Sequence, residues 1–174
     1  MSSIRLTRRG ALGLASAITV LATVPAFADT ATPHNVDAAG LMLRGYDPVA
    51  YFTLGTPTPG STDITAEHDG ATYRFASNEH RELFLADPAA YAPAYGGYCA
   101  LGAAMGRKFD GDPELWAVVD GRLFVNVNAG AQRRWQSNPE GFVTTADHNW
   151  PLIEGLGDGT LETSPPAGLR VGAN

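Results

Sequence analysis

The sequence has one cysteine, no long apolar run and few basic residues, and each of these features excludes a class of protein. It contains one cysteine, Cys99, among 174 residues, so an internal disulfide is impossible. Its apolar run from Ala11 to Val24, about 14 residues, is shorter than the roughly 20 residues that a membrane-spanning helix needs. Lys and Arg number 12 against 18 Asp and Glu, a net charge of -6. Because nucleic-acid binding needs clustered Lys and Arg to displace counterions, we expect no nucleic-acid partner.

Residues 1–28 have the organisation of a cleavable export signal. Three arginines precede the apolar run, and small residues at Ala26 and Ala28 match the cleavage pattern. The stretch from Thr7 to Leu12 resembles the twin-arginine signal, although it lacks that signal's usual aromatic residue and lysine. An ordinary secretory signal is the alternative. We expect cleavage after Ala28, a periplasmic or secreted protein, and no transmembrane segment in the mature form.

The chain that follows the signal has the size of one domain. Residues 29–40 read as a mobile lead-in, and the domain itself is expected over residues 41–153. Residues 154–174 are rich in Gly, Pro and Ser, a composition that favours a disordered tail. No internal repeat is apparent in the sequence.

Local signals predict an α+β fold in which two β-hairpins are interleaved with short helices. The pairs Asp69-Gly70 and Asp120-Gly121 stand between alternating runs, which is the strongest short hairpin signal. Ser77 is a suitable N-cap for a helix that ends before Pro88. Asp112-Pro113 indicates a further helix start. One or two helices are expected over residues 129–153.

The middle of the chain resembles the YHS domain, a small module related to the metal-binding TRASH domains. This resemblance covers roughly residues 44–95. The rest of the mature chain, including YGGYCALG and ADHNWP, resembles an exported subfamily described as YHS domain-containing (seleno)proteins. Some members of that subfamily carry selenocysteine where this chain has Cys99. The matching YHS positions are Asp47-Pro48-Val49, Tyr73, Phe75, Ser77, Phe84, Pro88 and Tyr91.

The chain departs from the metal-binding form of that domain at its ligands. Where that form has three cysteines, this sequence has Ala50, Ala76 and His80. A structural zinc site needs four nitrogen or sulfur ligands, and two of the three positions carry only methyl groups. We therefore expect the domain to fold without zinc. His80 is a candidate remaining ligand, against the alternative of a partly exposed helix histidine.

Cys99 is the main candidate site residue, as a catalytic thiol or a metal ligand. Gly96-Gly97 would let the backbone expose it at a helix start, where free N–H groups favour the thiolate. The sequence thus predicts an accessible thiol with a pKa below the ordinary value of about 8.5. The alternative is a buried, inert cysteine. Met105 lies on another side of that helix and is expected to pack in the core.

Two functions remain open at the level of sequence. One is a thiol-based binding or redox role at Cys99, including the handling of copper or another soft metal with help from His80. The other is a non-catalytic binding or accessory module with a decayed metal site. Whether the protein is an enzyme, and which substrate or protein partner it has, the residues do not indicate.

Overall fold

Two β-hairpins alternate with seven short helices along residues 32–171, the part of the chain that this computed structural model describes. The expected α+β class is confirmed. The export signal and residues 29–31 lie outside the described residues, as do residues 172–174. In chain order the elements are α1 (Ala50–Thr53), β1 (Ser61–His68), β2 (Ala71–Phe75), α2 (Asn78–Ala86), α3 (Pro88–Tyr91), α4 (Ala100–Ala104), β3 (Asp112–Val119), β4 (Arg122–Asn126), α5 (Ala129–Gln136), α6 (Pro139–Ile153) and α7 (Asp158–Thr163).

Both predicted hairpins form, as β1–β2 and β3–β4, and each is a two-stranded antiparallel sheet. Asp69 and Asp120 take positive φ angles of 48° and 50°, and the glycine after each does the same, as a tight hairpin turn requires. The predicted helix start at Asp112-Pro113 is wrong, because Pro113 lies in β3. The proline is tolerated there because the strand register is irregular between Asp112 and Trp116.

The second hairpin repeats the first in its pairing. Ser61 pairs with Phe75, and 51 residues later Asp112 pairs with Asn126. The register irregularity recurs at the same place, after Ser61 in one hairpin and after Asp112 in the other. The recurrence of this irregular pairing at the same offset indicates that residues 41–92 and 93–143 are two copies of one structural unit.

The connections around the hairpins repeat as well. Three consecutive residues with positive φ precede the first short helix in each copy, Leu43–Gly45 in one and Tyr95–Gly97 in the other. After the hairpins, the side chains of Ser77 and Asn128 cap α2 and α5 at equivalent positions. A proline then begins α3 and α6, at residues 88 and 139. The expectation of no internal repeat is therefore wrong.

The repeat escapes notice in the sequence because few residues are shared. Identical residues fall almost entirely at turns and helix starts, where backbone geometry restricts the choice of residue. The strands and helices between them need only to keep their apolar positions. The shared pairs are Gly45 and Gly97, Tyr46 and Tyr98, Gly60 and Gly111, Ala66 and Ala117, Asp69 and Asp120, Gly70 and Gly121, and Pro88 and Pro139.

Each copy has its own apolar core built around an equivalent aromatic pair. In the first core the rings of Tyr73 and Phe84 lie 4.6 Å apart, and in the second those of Phe124 and Trp135 lie 5.3 Å apart. Aromatic pairs at such distances stabilise a fold beyond the area they bury. The halves are joined because side chains of β4 also pack into the first core.

The lead-in is packed rather than mobile over the residues described. The backbone N–H of Asn35 donates to the carbonyl of Gly96 at 2.8 Å, and its side-chain amide donates to the carbonyl of Gly97 at 3.0 Å. The buried ammonium of Lys108 donates to the carbonyl oxygens of Thr32, Glu154 and Leu156. One lysine therefore links the lead-in to the segment that follows α6.

The disordered tail predicted from residue 154 onward is also not what the structure contains. Helix α7 lies within it and buries Leu161. The guanidinium of Arg107 bonds Asp158 through two nitrogens, at 2.9 and 3.0 Å. Farther on, Asn149 exchanges two hydrogen bonds with the backbone of Arg170. The Gly and Pro content indicated a loose segment, but long-range polar contacts order it up to residue 171.

None of the helices between residues 32 and 171 has both the length and the apolar character to cross a membrane.

Candidate functional site

Cys99 is the N-cap residue of α4, one position earlier than the helix itself begins. Its sulfur accepts a hydrogen bond from the backbone N–H of Gly102 at 3.4 Å. The side chain is 1% exposed. The predicted position at a helix start is thus confirmed, whereas the predicted accessibility of the thiol is wrong.

A chain of buried amides continues from the thiol. The sulfur lies 3.5 Å from Oδ1 of Asn126, which also accepts the backbone N–H of Leu101 at 3.2 Å. The amide nitrogen of Asn126 donates to Gln132 at 2.6 Å, and Gln132 donates in turn to the carbonyl of Trp116 at 2.8 Å. The resting thiol therefore has an acceptor for its proton and a completed polar environment.

Burial raises the pKa of the Cys99 thiol above its ordinary value, because the charged thiolate loses its hydration. The backbone N–H groups of Gly102, Val127 and Leu101 act in the opposite direction without overcoming it. The predicted lowering of the pKa is wrong for this reason. A helix of five residues provides some local donors but does not compensate for the removal of water.

The two glycines before Cys99 serve the lead-in rather than the thiol. Gly96 has a φ of +58°, and a Cβ atom there would lie 1.9 Å from the carbonyl oxygen of Pro33. Gly97 has a φ of +80°, and a Cβ atom would lie 2.9 Å from the sulfur of Met42. Glycine is therefore required so that the chain can turn and so that the lead-in can approach the backbone.

A second buried site is centred on Asp47, which is completely inaccessible to solvent. Its Oδ1 accepts the backbone N–H groups of Val49 and Ala50, at 2.9 and 3.3 Å. Its Oδ2 accepts the backbone N–H of Ala76 at 2.8 Å and lies 2.6 Å from Nδ1 of His80. Four partners thus compensate the carboxylate for its lost hydration.

Three positions that are distant in sequence, Ala50, Ala76 and His80, converge on this carboxylate. The backbones of Ala50 and Ala76 and the ring of His80 all contact Asp47. The other ring nitrogen of His80 lies 3.1 Å from the hydroxyl of Thr53. His80 is buried rather than partly exposed, and both of its nitrogens are engaged. A buried carboxylate–imidazole pair therefore lies at the centre of this site.

The sites of Asp47 and Cys99 are equivalent in the two copies. The donors Val49 and Ala50 stand two and three residues after Asp47, as Leu101 and Gly102 stand after Cys99. Ala76 and Val127 each follow the last residue of the hairpin's second strand. Backbone N–H groups at equivalent positions thus lie around the carboxylate in the first half and near the sulfur in the second, where Gly102 donates to the sulfur and Leu101 donates to Asn126. We call each set of three donors a cradle.

The structure does not bring Cys99 and His80 into one site. His80 contacts Asp47 and Thr53, and the hydrogen-bond partners of Cys99 include no histidine. Within the described ranges, no group of three or more His, Cys, Asp or Glu side chains could hold a metal ion. A further histidine, His148, has its Nε2 atom 3.0 Å from the carbonyl oxygen of Gly168. The joint Cys99–His80 metal site is therefore a prediction that the geometry does not support.

Two other sequence expectations concern neighbouring residues. Met105 is 42% exposed, so its expected place in the core is wrong. In the sequence, Asp47 stands out only as part of the Asp47-Pro48-Val49 motif, and nothing marks Asn126 as a site residue. The spacing of Asp47 before a short helix could have indicated a capping role, whereas the role of Asn126 depends on a contact between distant segments.

A cleft of about 110 Å³ lies beside the lead-in. It is lined by Asn35, Leu43, Arg44 and Asp110 among others, and neither Cys99 nor His80 reaches it. Small-molecule sites usually measure about 300–1,000 Å³. The cleft is therefore smaller than a usual small-molecule site, and it does not indicate a substrate site.

Comparison with known proteins adds no relative, since the chain matches no protein-family model, no curated protein and no solved structure.

A metal chelator should leave the thermal unfolding of the mature protein unchanged. Two of the three matched ligand positions are alanines, and the third is engaged by Asp47. In a domain whose folding depends on zinc, removing the metal removes the folding free energy. Calorimetry with and without EDTA measures this, with a zinc-finger protein as the positive control. A cooperative loss of structure in EDTA would reveal a ligand set other than the one matched here.

Proposed function

We propose that this chain is an exported YHS-type protein whose function is carried by the thiol of Cys99, in a redox role that requires local opening of the fold. The observation that carries the proposal is the cradle of Leu101, Gly102 and Val127, whose counterpart in the first half holds an anion. A sulfur that only filled space would not need the hydrogen bonds that it makes with Gly102 and Asn126. The export signal at residues 1–28 supports a periplasmic or secreted location.

The proposed chemistry depends on the thiolate, since the thiolate and not the thiol attacks electrophiles. In the closed structure the thiol is protonated at neutral pH, because burial raises its pKa. Once the site opens, the sulfur gains water and its proton can leave. Reaction at Cys99 therefore proceeds from the small fraction of molecules in which the site is open, in the manner of other buried groups that react through local unfolding.

Soft-metal handling fits this site less well than redox chemistry. Cys99 is one soft ligand, and its neighbours Asn126 and Gln132 are amides, which are poor ligands for copper. No step of the proposal passes through a metal. Metal analysis of protein from its native compartment, with a Cys99→Ser control, tests this point. Bound copper that is present in the natural protein and absent from Cys99→Ser would show that Cys99 binds copper.

Alkylation of the native protein tests the thiol role directly. We expect iodoacetamide to label Cys99 slowly at pH 7 and faster as the pH rises past the ordinary cysteine range, because the raised pKa keeps the thiol protonated until then. The labelling rate should exceed the rate of global unfolding measured under the same conditions. Cys99→Ser gives the background. A labelling rate equal to that of global unfolding would make Cys99 a packing residue.

A non-catalytic accessory module is the second candidate, and one observation favours it. The Asp47–His80 pair closes the position where the related domains would bind metal, so the first half has the character of a scaffold. Under this alternative, the protein's effect in its native compartment would be the same with Cys99→Ser as with the natural residue. Loss of that effect in Cys99→Ser would instead favour the thiol role.

A further inference from the structure

Helix α1 ends with a threonine whose hydroxyl lies at the outer end of a chain of polar side chains. Oγ1 of Thr53 lies 3.1 Å from Nε2 of His80, and Nδ1 of His80 lies 2.6 Å from Oδ2 of Asp47. Thr53 is exposed, the side chain of His80 is 11% exposed, and that of Asp47 is inaccessible. A hydroxyl, an imidazole and a carboxylate in this order correspond to a nucleophile, its base and the group that orients the base.

From these contacts we propose that Thr53, His80 and Asp47 form an acyl-transfer site in which the hydroxyl of Thr53 is the nucleophile. The site lies in the first copy of the repeated unit, whereas the thiol of Cys99 lies in the second. It therefore goes beyond the thiol function and does not depend on it.

The carboxylate of Asp47 determines which ring nitrogen of His80 can act as the base. Because Oδ2 is an acceptor, a neutral imidazole carries its proton on Nδ1, and the lone pair of Nε2 is then available to Thr53. The carboxylate is itself held by the backbone N–H groups of Val49 and Ala76, at 2.9 and 2.8 Å. Asp47 is thus a positioning residue that acts through His80.

The hydroxyl of Thr53 has a second acceptor within reach. Its Oγ1 lies 3.1 Å from the carbonyl oxygen of Val49, four residues earlier, so its one proton can go to this carbonyl or to His80. A bond to the carbonyl four residues earlier is ordinary for a helix threonine. Thr144 makes such a bond, at 2.9 Å to Glu140, and is also exposed. The contact with His80 distinguishes Thr53 from Thr144, which therefore serves as the matched control.

The surroundings of Thr53 limit the class of substrate. The next two backbone N–H groups, those of Leu54 and Gly55, both donate to the carbonyl of Ala50, at 2.8 and 3.1 Å. They are therefore engaged and do not stabilise the oxyanion of a tetrahedral intermediate. Without that help the hydroxyl needs a carbonyl whose leaving group departs easily. The side chain of Leu54 is 57% exposed and offers an apolar contact. Both features favour an ester with an aryl leaving group.

The proposed reaction has two steps and needs only water as a second reactant. Oγ1 of Thr53 attacks the carbonyl carbon, and its proton passes to Nε2 of His80. The bond to the leaving group then breaks, the leaving group takes the proton from Nε2, and the acyl group stays on Thr53 as an ester. Water attacks this ester in the same way. His80 takes the proton of the water and returns it to Oγ1, and the carboxylic acid is released.

Incubation of the mature protein with p-nitrophenyl acetate tests the nucleophile, with Cys99→Ser run in parallel to remove the thiol. We expect a burst of p-nitrophenolate, because water attacks a threonine ester more slowly than Oγ1 attacks an aryl ester. Mass spectrometry of the peptides should place one acetyl group on Thr53. Thr53→Val keeps the shape of the side chain without its hydroxyl and should abolish the burst, whereas Thr144→Val should keep it. Acetylation elsewhere with Thr53 unmodified, or an unchanged burst in Thr53→Val, overturns the proposal.

The base is tested by removing the imidazole and adding it back. His80→Ala should slow the acetylation of Thr53 by about 100-fold or more, as expected for a positioned base. Added imidazole should restore part of the rate, which a purely structural role for His80 would not allow. A His80→Ala protein that is folded by circular dichroism and acetylates Thr53 at the natural rate contradicts the proposal. If His80→Ala does not fold, the comparison of Thr53→Val with Thr144→Val decides.

The positioning role of Asp47 has a spectroscopic readout. In Asp47→Asn the remaining oxygen should stay with the N–H groups of Val49 and Ala50, which places the amide nitrogen against His80. The imidazole proton should then move to Nε2, where nitrogen NMR of the His80 ring detects it, and acetylation of Thr53 should slow as in His80→Ala. A folded Asp47→Asn protein with the proton still on Nδ1 and the natural acetylation rate would remove Asp47 from the site and overturn the three-residue assignment.

Discussion

Replacing Asp47 by alanine is expected to lower the free energy of unfolding by about 3–5 kcal/mol, because a buried carboxylate is removed and its hydrogen-bond partners are left unsatisfied. The carboxylate is fully buried and accepts three backbone N–H groups as well as the ring of His80. Alanine would leave all four partners buried without an acceptor, and each such group costs free energy that its pairing had offset. Urea unfolding followed by circular dichroism measures the loss.

Asp63→Ala is the matched control for this substitution. Asp63 lies on β1 with an exposed side chain, so its loss should change the free energy of unfolding by no more than about 0.5 kcal/mol. Asp47→Asn should fall between the two variants, because the amide keeps one oxygen for the cradle. If Asp47→Ala unfolds at the same urea concentration as Asp63→Ala, the first cradle does not stabilise the fold as described.

Gly96→Ala is expected to detach the lead-in and destabilise the protein by about 2–5 kcal/mol. Positive φ costs a residue with a side chain about 1–2 kcal/mol, and overpacking of the kind expected against Pro33 adds about 1–3 kcal/mol. The backbone bond between Asn35 and Gly96 should be lost with the displacement. Limited proteolysis should then cleave near residues 32–36, where the natural protein resists.

Gly121→Ala separates the two contributions. Gly121 also has positive φ, at +72°, but a Cβ atom there would meet nothing within 4 Å. This variant should therefore show only the conformational cost and keep its resistance to cleavage near the lead-in. Equal destabilisation by the two substitutions, with no new cleavage in Gly96→Ala, would show that the contact with Pro33 is unimportant.

The two copies of the repeated unit differ in the buried group that each one holds. One copy of the repeated unit holds a carboxylate paired with His80, and the other holds a thiol beside the amide of Asn126. The equivalent of His80 in the second copy is Ala131, which has no group to neutralise an anion. The first copy therefore has a buried carboxylate–histidine site, whereas the second has a buried thiol beside an amide.

Much of the fold could be predicted because its signals are local. Asp-Gly pairs require backbone angles that suit a hairpin turn whatever surrounds them, and Ser77 caps α2 through an N–H three residues away. Helix α4 likewise begins directly after Cys99, where the sequence predicts a helix start. These features depend on interactions between residues close in sequence, so a sequence contains the information directly.

The repeat and the tail could not be predicted in this way. The two copies share turn residues, but their equivalence appears only when the pairing of both hairpins is known. The tail has a loop-like composition, and its order depends on Asn149 and Arg107, which lie far from it in sequence. Contacts of this kind depend on where other segments lie and leave no local pattern.

By itself the sequence determined the α+β class, the two hairpins, the absence of a disulfide and the position of Cys99 at a helix start. The tertiary structure decided that the thiol is buried with a raised pKa, and that His80 faces Asp47 instead of Cys99. The physical reason is that turns and caps are set by the backbone of a few adjacent residues. Solvent access and charge stabilisation depend instead on all the segments that pack around a side chain.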